Sequence, residues 1–100
     1  MELNLEGRVV VVTGASRGLG EAIVKDLVDE GALVVAAARS ETALKELSTY
    51  SPDQIAVKVA DMEKIEDVEG LVDFAVERFG SLDAIVNNAG IAPEIGRAHV

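Results

Sequence analysis

The chain has 100 residues, 49% of them hydrophobic, with no cysteine and a single histidine, His99. One domain with its own core is therefore allowed, whereas disulfides and thiolate metal sites are excluded and no metal site is expected. Eighteen acidic residues against nine basic ones give a formal charge of −9, which argues against nucleic acid as a partner unless the few cations are gathered at one place.

The opening stretch, MELNLEGR, has neither a basic n-region nor a long apolar h-region, so a secretory signal is not expected. No apolar run approaches the roughly 18 residues of a membrane span, and a cytoplasmic protein without a membrane partner is the expectation. Val9 to Val12 is a continuous β-branched run, the pattern of a strand covered on both faces. Leu19, Ala22, Ile23 and Leu27 recur at helical spacing, and Gly31 stands where that helix would be capped. Leu33 to Ala38 is a second buried strand, and Glu41 to Tyr50 is a short helix with Ala43, Leu44 and Leu47 on one face. Gln54 to Ala60 is a third strand. Lys64 to Phe79 carries a helical stripe of Ile65, Val68, Val72, Ala75, Val76 and Phe79 closed by Gly80, and Ala84 to Asn87 is a fourth strand. The acidic residues cluster in the two longer helices, as solvated helix faces do.

Strands alternating with helices indicate an α/β fold with a parallel sheet, since each crossover helix must cover a sheet face. Four strands match the first half of a Rossmann-type doubly wound sheet, in the order 3-2-1-4, and the domain is incomplete on that reading. The loops after the first and fourth strands then open side by side at the carboxyl ends of the strands.

Between the first strand and its helix lies TGASRGLG, Thr13 to Gly20. A glycine-rich strand-to-helix turn leaves the helix's first N–H groups unshielded, which suits a pyrophosphate. Gly14 permits the sharp turn, Gly18 the close approach of phosphates and Gly20 the packing of helix on strand. No Gly-Lys-Ser/Thr follows, so a kinase-like phosphate loop is excluded. The second strand ends in Ala38-Arg39-Ser40, with no carboxylate before Glu41 to take a ribose 2′-hydroxyl. Arg17 and Arg39 instead suit a 2′-phosphate, so NADP(H) is favoured over NAD(H) as the cofactor.

Three motifs in combination now carry a resemblance: Thr-Gly-xxx-Gly-x-Gly at Thr13 to Gly20, an aspartate after the third strand at Asp61, and Asn-Asn-Ala-Gly at Asn87 to Gly90. From Leu5 to about Pro93 the chain resembles the classical short-chain dehydrogenase/reductase family, in particular its 3-oxoacyl-(acyl carrier protein) reductase-like members. The resemblance implies an oxidoreductase that moves a hydride between the nicotinamide and a small-molecule carbonyl or alcohol substrate, assembled as a homo-oligomer. It also implies cofactor contacts from Gly14, Ser16, Arg17, Gly18, Leu19 and Gly20, from Arg39 and Ser40, from Asp61 and Met62, and from Asn88, Ala89 and Gly90. Asp61 is expected to accept from the adenine amino group; the alternative role for it is to cap the helix beginning near Lys64, and the two are compatible. Asn88 is expected to tie the fourth strand to its neighbours. The family's catalytic serine and its tyrosine, followed four residues later by a lysine, have no counterpart here. Tyr50, the only tyrosine, is followed at that spacing by Gln54 and reads as a packing residue at a helix end. No catalytic residue is assigned. A dinucleotide-binding regulator without catalysis and a non-functional fragment therefore stand as alternatives.

The dinucleotide-binding part is expected to span residues 1–93. The tail Glu94 to Val100 reads EIGRAHV, which is the in-frame translation of a common sequencing adapter, AGATCGGAAGAGCACACGTC, preceded by one G. A non-native origin of residues 94–100 is thus expected, and His99 takes no catalytic or metal role. With the fourth strand at an open edge, Ala84, Ile85 and Val86 are expected to be exposed, and the chain to be sparingly soluble and to bind the dinucleotide weakly.

Overall fold

A computed structural model describes residues 4–88. Ala89, Gly90 and the tail 94–100 with His99 lie outside the described residues. The elements follow in strict alternation: β1 (Val9–Thr13), α1 (Gly18–Asp29), β2 (Leu33–Ala38), α2 (Glu41–Ser48), β3 (Ile55–Val59), α3 (Ile65–Phe79) and β4 (Ala84–Val86). The four strands are parallel and ordered β3-β2-β1-β4, as the doubly wound pattern requires.

Every residue of the central strand β1 is buried, because helices cover both faces of the sheet. Val9, Val11, Val35 and Ala37 point to Leu71 and Ala75 of α3. Their alternates Val10, Val12, Val34 and Ala36 point to Val24 and Val28 of α1 and to Leu44 and Leu47 of α2. Each buried valine contributes about 1.5–3 kcal/mol by leaving water, which explains why these strands read as unbroken apolar runs. Gly80 ends α3 at φ 91, its N–H donating to Val76 O at 2.8 Å, a conformation that glycine adopts without strain.

The buried face of α1 differs from the expected stripe. It consists of Gly20, Val24 and Val28, while Ile23 and Leu27 are half-buried, Ala22 is exposed and Leu19 is 67% exposed. The first turn approaches β1 so closely that its inward position must be a glycine, and the apolar side chain at Leu19 is turned outward. Tyr50 sits at a helix end, as expected. It lies beyond α2, 45% exposed, where its hydroxyl donates to Asp29 Oδ1 at 2.8 Å and Lys25 Nζ stands 5.3 Å from its ring. It ties α1 to the end of α2 at the surface.

The edge strand β4 leaves Ile85 exposed, and on α3 Val72 and Val76 are exposed beside the covered Leu71 and Ala75. Among the described residues no helix is long and apolar enough to cross a membrane, and no group of three or more His, Cys, Asp or Glu residues is placed to hold a metal ion.

Candidate functional site: a cleft at the carboxyl ends of the strands

After β1 the chain turns at Gly14, φ 62, and again at Gly18, φ 57, both in the left-handed region where a side chain would be strained. A Cβ on Gly18 would meet nothing within 4 Å, so the backbone at the start of α1 faces open space. The N-cap residue Arg17 is extended and its side chain makes no capping bond. The first N–H groups of a helix have no intrahelical acceptor and sit at the positive end of its dipole, so this terminus offers donors to an anion.

Gly20 has a different task. A Cβ there would fall on Gly14 O and within 2.7 Å of Asn88 Nδ2. Asn88 lies just after β4, where its side-chain amide donates to Gly14 O at 3.3 Å and its N–H donates to Thr13 Oγ1 at 2.8 Å. The buried Thr13 hydroxyl also stands 2.9 Å from Asn87 Oδ1. Asn88 thus ties the end of β4 to the glycine loop, as expected, and Thr13 and Asn87 complete the tie. Both residues open sequence motifs without a role of their own being expected of them, although a hydroxyl closing a run of four buried valines was a visible signal. At the other end of β4, Asp83 Oδ2 accepts from Val9 N–H at 2.8 Å, which holds the two strands in register.

Arg39 is exposed at the end of β2, and Ser40 caps α2, its Oγ accepting from Ala43 N–H at 3.3 Å. The β2–β3 ladder continues past the strands through Ala60 N–H to Ala38 O at 2.9 Å, which delivers Asp61 to the same end of the sheet. Asp61 Oδ1 accepts from Glu63 N–H at 2.9 Å. Asp61 is therefore not the cap of α3. That position belongs to Lys64, which makes no side-chain capping bond, and the Asp61 carboxylate reaches only two residues on, closing the turn before the helix.

These loops surround a cleft of about 730 Å³, within the range of small-molecule sites. Gly14, Ser16, Arg17, Arg39, Ser40, Asp61, Met62 and Asn88 line it together, with Glu63 as an acidic neighbour that the sequence reading did not name. Gly18, Leu19 and Gly20 form the first turn of α1 beside it. The geometry fits a dinucleotide: open helix donors for a pyrophosphate, and two guanidinium groups, the carboxylates of Asp61 and Glu63 and the Met62 thioether around the same cleft.

A family model described as short chain dehydrogenase matches residues 8–99. The 11-beta-hydroxysteroid dehydrogenase A of Sesamum indicum is 45% identical over 93 residues, covering 88% of this chain and 26% of that protein. The 3-oxoacyl-[acyl-carrier-protein] reductase of Vibrio cholerae is 40% identical over 89 residues, covering 89% and 36% respectively. Among solved structures, a 3-ketoacyl-(acyl-carrier-protein) reductase from Brucella melitensis complexed with NADH superposes with a TM-score of 0.83 at 38% identity, covering 87% of this chain and 36% of that one. The chain thus spans about a quarter to a third of the length of these relatives.

Proposed function

Because the chain belongs to the short chain dehydrogenase family, we propose that it forms the NADP(H)-binding part of an oxidoreductase acting on a small-molecule carbonyl or alcohol. When bound, the nicotinamide supplies or accepts the hydride. The open N–H groups at the start of α1 hold the pyrophosphate, and Asp61 accepts from the adenine amino group with Met62 beside the ring. Asn88 holds the end of β4 against the glycine loop, so the cofactor meets a fixed wall. The family resemblance assigns the ribose next to the nicotinamide to Ala89 and Gly90.

One observation carries the NADP(H) preference. Arg17 and Arg39 line one cleft, and the nearest carboxylate after β2, Glu41, lies in α2 with Oε2 3.7 Å from Lys45 Nζ. A 2′-phosphate there gains two guanidinium partners, and Ser40 has a hydroxyl proton left to donate. The NADH in the Brucella melitensis reductase favours the second reading, a site for NAD(H).

Tyr50 stands at the opposite, amino-terminal end of the sheet, bonded to Asp29, and plays no part in proton transfer at the cleft. The serine and the tyrosine-lysine pair that the family resemblance calls for have no counterpart in these 100 residues, so the chain alone is expected not to turn over. To test the nucleotide preference, adenosine 2′,5′-bisphosphate and adenosine 5′-phosphate are titrated into the labelled chain by NMR, which reads weak binding. The bisphosphate is expected to bind roughly tenfold tighter, the scale of one charge-assisted contact. Equal affinities would overturn the NADP(H) preference in favour of NAD(H).

A further inference from the structure

The peptide at Asp61 is held on both sides, and not by the sheet. Asp61 O accepts from Lys64 N–H at 2.9 Å, and Asp61 N–H donates to Asp67 Oδ2 at 2.8 Å. Asp67 lies in the first turn of α3, half-buried, six residues after the group it holds. The need for it is local. The cap position of α3 is a lysine, whose side chain has donors only and cannot accept a backbone N–H. The cap residue thus offers no side-chain acceptor, and Asp67 reaches back from inside the helix to the Asp61 N–H that precedes the turn. With its N–H and carbonyl both engaged, Asp61 has a fixed backbone, and Glu63 N–H takes Oδ1. Among the described residues no hydrogen bond engages Oδ2, which remains for a ligand in the cleft that Asp61 lines.

We propose that Asp67 is a positioning residue for base recognition: it touches no cofactor itself but fixes the backbone from which Asp61 presents its carboxylate to the adenine amino group. This rests on the proposed role of Asp61. An acidic residue in a first helical turn also stabilises the helix through its dipole, so stability alone does not distinguish the two roles.

The discriminating pair of probes is NADPH and its hypoxanthine analogue, in which the amino group is replaced by an oxo group. Both are titrated by NMR into the full chain, wild type, Asp67→Ala and Asp67→Asn. The wild type is expected to prefer the adenine form by roughly tenfold, the range of a hydrogen bond to a charged group. Asp67→Ala is expected to lose most of that preference while keeping its affinity for the analogue. Asp67→Asn, whose amide oxygen still accepts, is expected to restore it. An equal loss for both probes means that Asp67 merely holds the fold, and an unchanged preference in Asp67→Ala means that Asp61 needs no such support. Either result overturns the inference with the role of Asp61 intact. A wild type without preference removes the adenine role of Asp61, and the inference falls with it.

Discussion

The two ends of the sheet look alike in composition and behave differently. At the amino-terminal end, Gly7 and Gly31 have φ 75 and 94, and a shallow depression of about 480 Å³ is lined in part by Glu6, Asp29 and Glu30. There the chain closes its own polar groups: Gly7 N–H donates to Gly31 O, and Gln54 Nε2 donates to Val28 O and Ala32 O, each at 3.0 Å. At the carboxyl-terminal end, the glycines of the first loop leave the start of α1 uncapped by any side chain, and the nearby cations are Arg17 and Arg39. Glycine content therefore does not make a site. An anion site arises where strand direction turns a helix N-terminus outward, donors are left without partners and guanidinium groups stand beside them, as Arg17 and Arg39 do.

The largest effect that would break this comparison comes from Gly20→Ala. The added Cβ meets Gly14 O, a backbone atom that cannot move aside, and Asn88 Nδ2. A loss of about 3 kcal/mol is expected, with nucleotide binding abolished, as read by urea denaturation and NMR titration. Gly31→Ala at the other end meets the far end of the Glu6 side chain, which can turn aside, with Glu6 Cα at 3.2 Å, and strains φ 94, so about 1–2 kcal/mol is lost with nucleotide affinity unchanged. A nucleotide effect of Gly31→Ala would erase the distinction between the ends.

Next in size, replacing Arg17 and Arg39 together by alanine is expected to weaken NADPH binding by about 1.5–3 kcal/mol and to leave NADH nearly unaffected. Loss of both affinities in parallel would assign the arginines to the pyrophosphate instead. Gln54→Ala strips Val28 O and Ala32 O of their donor, and a cost of about 1–2 kcal/mol is expected in denaturation, with no change at the cleft.

The smallest effect concerns Tyr50. Its hydrogen bond to Asp29 raises its pKa above 10.0, helped by partial burial and by the charges of Asp29 and Asp26. A phenol pKa raised in the folded state means stability that is present below the unfolded pKa and lost as pH rises through the folded one. Tyr50→Phe is accordingly expected to be slightly less stable than wild type at pH 7, with the gap closing in the alkaline range above pH 10. A gap that persists at high pH would trace the loss to ring packing instead of the hydroxyl.

The fold was legible because hydrophobic periodicity and strand burial are local signals. The bounds of β2 were read to the residue, and the glycine ending α3 was read from position alone. The α1 face was misread because the position that packs closest, Gly20, has no side chain to register as apolar. Asp61 was read as a helix cap because sequence spacing does not reveal that α3 starts only at Ile65, after a separate turn. Asp67 and Asp83 were not singled out, since each acts on a backbone N–H, at Asp61 and at Val9 respectively, that only the folded chain brings near. The loop glycines, Arg17, Arg39, Ser40, Asp61 and Asn88 were named from motifs, and the fold gathers them around one cleft.

The most direct measurement is a map of backbone amide shifts of the labelled chain on addition of NADPH. Shifts concentrated at Thr13 to Gly20, Arg39, Ser40, Asp61 and Met62, with Glu6, Gly31 and Gln54 unmoved, are the result expected of a site confined to the carboxyl ends of the strands. Shifts centred on the acidic depression at the amino ends, or spread evenly over both, would contradict it.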